Sequence, residues 1–83
     1  MWYTYIVRCS DNSLYTGVTT DLERRVDEHN TSDKGAKYTK TRRPVKLVYD
    51  ETHTDRSPSC KRESEIQKLS RTDQLKIINE RRV

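Results

Sequence analysis

Hydrophobic and polar residues alternate at the start of the chain and then change period. Across Tyr3–Cys9, Tyr3, Tyr5 and Val7 fall on one side and Thr4, Ile6 and Arg8 on the other. The run is rich in aromatic and β-branched residues, which predicts a strand. Leu14–Thr19 predicts a second, and the turn cluster Ser10-Asp11-Asn12-Ser13 between them makes the pair a hairpin. A loop of Ser10 to Asn12 sets Cys9 opposite Ser13, Val7 opposite Tyr15 and Tyr5 opposite Gly17. Both tyrosines then share a face, and the glycine leaves room beside Tyr5. A loop shorter by one residue puts them on opposite faces, because side chains alternate along a strand.

After Thr19 the period becomes helical. Thr20 stands three residues before Glu23, a capping-box spacing, with Asp21 in the electropositive first turn. The helix Asp21–His29 places Leu22, Val26, Arg25 and His29 in one sector, while Arg24 points away. An arginine and a histidine one turn apart on a half-buried side are unusual for an apolar face. From Thr31 to Arg43 the chain reads as a loop around Gly35, with a short helical turn at Ala36–Thr39. Pro44 introduces a third strand, Val45–Glu51, with Val45, Leu47 and Tyr49 alternating against Lys46, Val48 and Asp50. Thr52–Arg56 is a polar connection. Ser57-Pro58 signals a helix start, Ser57 as N-cap and proline in the first turn, and that helix is expected to run to Leu69. Cys60, Glu63, Ile66 and Leu69 recur along it, placing a carboxylate at the margin of the buried side. Ser70–Asp73 can cap a last helix that carries Leu75 and Ile78 inward and ends at Arg82-Val83.

Composition narrows the picture. With 83 residues, 30% hydrophobic and 36% charged, the expectation is one small domain with a thin core and modest stability, too short for a second specificity domain. No run approaches the length of a membrane span, and Met1-Trp2-Tyr3 lacks the basic start of a signal peptide, so a cytoplasmic protein is expected. Cys9 and Cys60 belong to no C-x-x-C or C-x-x-H pattern and read as reduced, packed thiols. The net charge of +4 is unevenly distributed. Lys34, Lys37, Lys40, Arg42, Arg43 and Lys46 crowd the middle of the chain against a single Asp33, a field that attracts phosphate polymers, although a solvated basic loop gives the same pattern.

Tyr5, Tyr15, Gly17, Arg25, His29 and Glu63 are thus singled out, and their order and spacing resemble the GIY-YIG nuclease superfamily. Tyr3-Thr4-Tyr5 matches the first signature and Tyr15-Thr16-Gly17 the second, followed by Arg25, His29 one turn on, and Glu63 on a later helix. The resemblance covers nearly the whole chain. It is strongest to the short, stand-alone bacterial members of the YhbQ type, which share the Leu-Tyr-Thr-Gly and Thr-Thr-Asp-x-Glu-Arg-Arg blocks and the Lys34–Lys37 segment. It implies an α/β chain of the α+β kind, a three-stranded antiparallel sheet flanked by helices in the order β-β-α-(α)-β-α-α. It also implies metal-dependent hydrolysis of a nucleic-acid phosphodiester.

Those roles suit the residue types. Glu63 would supply a hard oxygen ligand to one Mg²⁺ or Mn²⁺. Arg25 carries a permanently charged planar fork fitted to a phosphate that gains negative charge during in-line attack. Tyr5 and Tyr15 would hold the attacking water, with the proton passing to a phenol directly or through His29. Which group takes it stays open, since a phenol of pKa about 10 needs help to act as a base at neutral pH.

Each residue also has a plain alternative. The tyrosines can simply pack in the sheet, Arg25 can pair with Asp21 or Glu28, and His29 can close its helix near the negative end. Glu65 competes with Glu63. Lys37, Lys40, Arg42 and Arg43 are expected phosphate contacts and Tyr38 a base-stacking platform, or else surface lysines and a loop anchor.

The chain departs from the superfamily pattern at several positions. Tyr3 and Thr4 replace glycine and isoleucine in the first signature, Thr16 replaces isoleucine in the second, and Val18 stands where a lysine is frequent. Asn79 is the candidate for a polar residue on the last helix. No DNA-recognition domain is appended, so cleavage with little sequence specificity is expected, DNA before RNA, with a protein partner as a source of specificity. A binding module without turnover and a protein-interaction adaptor are the competing functions.

Overall fold

The structure, a computed structural model, describes residues 1–31 and 34–81. Its elements are β1 (Trp2–Arg8), β2 (Leu14–Thr19), α1 (Leu22–Thr31), α2 (Lys37–Lys40), β3 (Lys46–His53), α3 (Arg56–Gln67) and α4 (Arg71–Arg81). The expected helix end at Arg82-Val83, and the lone acidic Asp33 of the basic segment, lie outside the described residues. The strands form one antiparallel sheet in the order β2-β1-β3, with β1 in the middle, so the α+β expectation holds.

The hairpin takes the register that a three-residue loop imposes. Val7 pairs with Tyr15 and Tyr5 with Gly17, and the loop closes by Cys9 N–H donating to Ser13 O at 2.8 Å. Asn12 adopts φ 68°, the left-handed position that such a loop requires and that asparagine tolerates better than most residues. Asp11 Oδ1 accepts from the Ser13 N–H and hydroxyl, which fixes the turn before the strand restarts.

Both sheet faces are covered. Tyr5, Val7, Cys9 and Val45 make one small core, against which Tyr15, Leu22 and Val26 pack. Ile6, Tyr49, Ile66 and Ile78 make the other, with Leu14, Val48, Leu75 and Ile77 around it. Burial of a few aliphatic side chains on each face, at about 1.5–3 kcal/mol apiece, is what holds the sheet between its helices. Cys9 is buried and Cys60 half-buried, and both are free thiols.

Several local expectations are corrected. The α1 cap is Asp21, not Thr20: Arg24 N–H donates to Asp21 Oδ1 at 3.1 Å, and Thr19 Oγ1 accepts from Asp21 N–H at 3.1 Å. Both residues can cap, but α1 starts at Leu22, so Asp21 is the residue directly before the helix and three before the Arg24 N–H that it accepts. Strand β3 does not keep Val45, Leu47 and Tyr49 on one face. Ile6 pairs with Tyr49 but Val7 with Leu47, so Val48 is an extra residue, and this bulge moves Tyr49 to the face opposite Val45. The same strand runs on through Thr52 and His53, which pair with Tyr3 and Trp2, instead of ending in a polar connection at Glu51.

Helix α3 begins at Arg56 with Asp55 in the N-cap position, so Ser57 lies inside the first turn. Pro58 fits there because the first-turn N–H groups have no helical partner to lose. Ser59 and Ile66 are its fully buried residues, Cys60 and Glu63 are half-buried, and Leu69 lies past its end. Ser59 can be buried because its hydroxyl donates to Arg56 O at 2.6 Å, while Thr4 Oγ1 donates to Ser59 O at 2.9 Å. The Ser70 cap of α4 forms as expected, accepting from Asp73 N–H at 3.2 Å.

Candidate active site

The hairpin and α1 bring Tyr5, Tyr15 and His29 together on one face of the sheet. Tyr5 is 1% exposed, and its ring lies across the backbone of Gly17. A β-carbon on Gly17 would stand 2.5 Å from the Tyr5 hydroxyl and 2.7 Å from Cζ, closer than side chains approach. The missing side chain at Gly17 is therefore what lets the phenol reach α1. There the Tyr5 hydroxyl meets His29 Nε2 at 2.8 Å. Tyr15, half-buried, presents an edge to the His29 ring with centroids 5.4 Å apart.

His29 is fully buried on α1. Its Nδ1 lies 2.9 Å from Thr39 Oγ1 on α2, and Thr39 is also fully buried. Burial pushes the imidazole down to about 4, helped by the Arg25 and Arg43 charges and opposed by Glu28. The ring is neutral at pH 7. Burial likewise pushes the Tyr5 phenol up to about 12, against a hydrogen bond and the charge of Arg25 that favour the phenolate. Tyr15 is also raised by burial, with Arg25 again opposing and Glu63 reinforcing. Both phenols therefore rest protonated.

Arg25 is half-buried and held from two sides. Its Nη1 donates to Glu28 Oε1 at 3.1 Å and to Lys34 O at 2.7 Å. The ion pair with Glu28 foreseen as a plain alternative thus forms, and the guanidinium still lies beside Tyr5, lowering the cost of phenolate there. Glu63 approaches from α3, near enough to both phenols for its charge to oppose their ionisation. Burial raises its own pKa, and no hydrogen bond or ion pair among the described residues uses its carboxylate. Glu65 instead faces solvent and lies 3.9 Å from Arg62.

The basic residues divide into two groups. Lys37 and Lys40 are exposed on α2. Arg42 is an internal strut: Nε donates to Asp11 Oδ2 at 3.1 Å, Nη1 to Tyr38 O at 2.8 Å, and its guanidinium lies 4.1 Å from the Tyr38 ring. Arg43 Nε donates to His29 O. Tyr38 stacks on Tyr15 with centroids 5.9 Å apart, so its ring is already engaged by Tyr15 and Arg42 while remaining 40% exposed. His53, expected in a loop, ends β3 beside Glu51. Asn79 is exposed on α4, at the margin of a recess formed with Leu14, Val48 and Ile78 on the other sheet face.

Sequence reasoning foresaw the pairing of Arg25 with Glu28 but missed Thr39 and Asn30 as parts of this arrangement. Asn30 pins the end of α1 to the start of β3, accepting from Val45 N–H at 2.7 Å and donating to Val45 O at 3.1 Å. A half-buried amide at a helix end is a weak signal for such a bond, and nothing in Lys37–Lys40 distinguishes Thr39 from a surface threonine.

Residues 1–77 match the family model described as the GIY-YIG catalytic domain. The chain belongs to the GIY-YIG family. That domain defines a nuclease superfamily, and the close relatives are bacterial UPF0213 proteins. The UPF0213 protein SH2523 of Staphylococcus haemolyticus is 58% identical over 79 residues, covering 95% of each chain. The UPF0213 protein DP2720 of Desulfotalea psychrophila is 54% identical over 77 residues, 93% of this chain and 70% of that one. Among solved structures, the solution structure of the UPF0213 protein BH0048 of Bacillus halodurans is 40% identical with a TM-score of 0.61, covering 95% of this chain and 84% of the other. The solution structure of EF2693 of E. faecalis gives 38% identity and a TM-score of 0.62, over 94% and 82%. The GIY-YIG membership gives the hairpin signatures, Tyr3-Thr4-Tyr5 and Tyr15-Thr16-Gly17, their place as the two facing strands that carry the phenols. Among the described residues no helix is long and apolar enough to cross a membrane.

Proposed function

We propose that this GIY-YIG chain is a cytoplasmic, metal-dependent endonuclease that hydrolyses nucleic-acid phosphodiesters through backbone contacts, with DNA the preferred substrate. The carrying observation is the Tyr5 hydroxyl, bonded to His29 Nε2 at 2.8 Å with the charges of Arg25 and Glu63 both reaching it. With an external water as nucleophile no ribose 2′-hydroxyl is needed, so DNA is open to the reaction. Little base readout is expected, because the exposed cations on α2 are lysines, point charges suited to phosphate.

Glu63 fits a hard divalent cation. It is a half-buried carboxylate with no partner among the described residues, and Mg²⁺ or Mn²⁺ is commonly held by one or two carboxylates, waters and the substrate's own phosphate. No group of three or more acidic, histidine or cysteine ligands exists among the described residues; water and the substrate phosphate would complete the coordination around Glu63. When bound, the ion would neutralise phosphate charge and acidify a nearby water.

The chain's own groups supply the rest. In this reading a water attacks phosphorus in line, its proton passes to the Tyr5 oxygen, the Tyr5 hydroxyl proton passes to His29 Nε2, and the opposite P–O bond breaks, its leaving oxygen taking a proton from solvent. Coupling the two transfers avoids a free phenolate, which burial disfavours. Tyr15 orients the water from the neighbouring strand. Arg25, held by Glu28 and Lys34 O, faces the charge that builds on the phosphate oxygens.

Nicking of linear and branched DNA with and without divalent cation tests the proposal. Arg25→Ala and Glu63→Gln are each expected to lower the rate by about 10²-fold or more. Absence of cutting by the intact chain on every substrate, or undiminished cutting by both variants, counts against it. Salt-sensitive binding without turnover would leave a binding module in its place, and a partner protein that restores cutting would be the source of specificity.

A further inference from the structure

We propose that Thr39 is a positioning residue for His29, its hydroxyl holding the imidazole in the tautomer that leaves Nε2 able to take the Tyr5 proton. This role rests on the proton path proposed above.

The hydrogens along one buried chain of bonds can be counted. His29 is sealed from solvent, so its ring nitrogens must find partners within the protein. Thr39 Oγ1 lies 2.9 Å from Ala36 O, and a carbonyl can only accept, so the single hydroxyl hydrogen of Thr39 goes there. Toward His29 the same oxygen can then only accept, which puts the ring hydrogen on Nδ1, 2.9 Å away. A neutral imidazole has one N–H. Nε2 is therefore bare, and at 2.8 Å it accepts the Tyr5 hydroxyl. The chain runs in one direction: Tyr5 O–H to Nε2, Nδ1–H to Thr39 Oγ1, Thr39 O–H to Ala36 O.

Ala36 O also accepts from Thr39 N–H at 3.0 Å and Lys40 N–H at 3.2 Å, so the Thr39 hydroxyl shares that carbonyl, and one contact opposes the direction outright. Ala36 N–H points toward Nδ1 at 3.4 Å and would favour a bare Nδ1. At that length it is much weaker than the bond to Thr39, and the Thr39 hydrogen already has its acceptor. The reversed chain would put an N–H on Nε2, aimed at the Tyr5 oxygen, and His29 could then receive a proton only on the side away from the phenol.

Thr39 reaches the ring because of Gly35. A β-carbon there would stand 2.8 Å from Glu28 O and 3.0 Å from His29 Cα, so glycine lets the segment before α2 lie directly on the last turn of α1. Among the described residues, the charged and titratable groups around His29 are Tyr5, Arg25, Glu28 and Arg43, with the Tyr15 ring against its edge. The bonds to Nδ1 come from Thr39 and Ala36, which leaves the tautomer to those two.

Long-range ¹H–¹⁵N NMR of the His29 ring at pH 7 tests the inference on the whole chain, with Thr39→Val and Thr39→Ser beside it. The expected result is a protonated Nδ1 and bare Nε2 in the natural chain and in Thr39→Ser, with Thr39→Val moving population toward Nε2–H. In nicking assays Thr39→Val should lose about 10- to 100-fold in kcat with KM little changed, and Thr39→Ser should recover most of it. A protonated Nε2 in the natural chain overturns the inference, and that measurement decides even if Thr39→Val does not fold. A folded Thr39→Val that keeps its hydrogen on Nδ1 overturns it equally. The tautomer is read without turnover, so a chain that cuts nothing yet shifts tautomer in Thr39→Val retains the positioning role and loses the nuclease reading.

Discussion

Gly17 tolerates no side chain because Tyr5 occupies the space in which one would stand. Its φ is not in the left-handed region, so alanine meets no backbone strain and the whole effect of a substitution is steric. Gly17→Ala should drive the Tyr5 ring away from His29, cost about 1–3 kcal/mol by overpacking, and abolish most activity. Urea unfolding with the His29 ring resonances as a second readout checks this; an unchanged His29 environment would mean the ring was not displaced. The crowding was legible in the sequence, since the register set by a three-residue loop already placed Tyr5 opposite Gly17. The same reasoning could not reach Thr39, or the bond from Arg25 to Lys34 O, both fixed only once α1 and the segment around α2 have docked.

Helix α2 is a four-residue turn with two distinct sides. Thr39 is buried against His29 while Lys37 and Lys40 project into solvent. Arg42 and Arg43, expected beside them as phosphate contacts, also brace the segment against Asp11, Tyr38 O and His29 O. Neutralising the two kinds of cation should therefore differ. Lys37→Gln with Lys40→Gln should flatten the log–log salt dependence of DNA binding by about 0.9 for each phosphate the lysines engage, leaving thermal stability unchanged. A salt slope identical to that of the parent would remove α2 from the nucleic-acid face. Charge counting along the sequence saw one basic field, and only the fold divides it into exposed lysines and arginines tied to neighbouring groups.

At the level of the whole molecule, one buried histidine should make stability sensitive to acid. The unfolded His29 titrates near 6.5 and the folded one near 4, so below about pH 6.5 the unfolded chain binds a proton that the folded chain refuses. Stability is then full above that pH and falls as the pH drops toward 4. At about 1.4 kcal/mol per pH unit the loss approaches about 3 kcal/mol, large for a domain with two thin cores. Glu63, raised by burial, acts with the opposite sign, gaining stability as it protonates. Denaturant midpoints from pH 7 to pH 4 for the natural chain and His29→Gln separate the two. The natural chain should lose stability across this window more steeply than the variant, and parallel curves would show that His29 is not the group responsible.

What the sequence determined by itself was local. Periodicity, turn residues and signature spacing were enough for the hairpin register, the apolar side of α1 and the shared face of Tyr5 and Tyr15, because each depends on residues close to one another along the chain. The bulge at Val48, the cap at Asp21 and the start of α3 were decided by how the elements pack, where several residues were equally competent and neighbours selected one. The approach of Glu63 to the phenols and the bond from Thr39 to His29 join segments whose separation in sequence carries no distance information. Only the folded sheet, with α1 and α2 against one side and α3 brought back toward the Gly17 strand, gathers those scattered residue types into one candidate site.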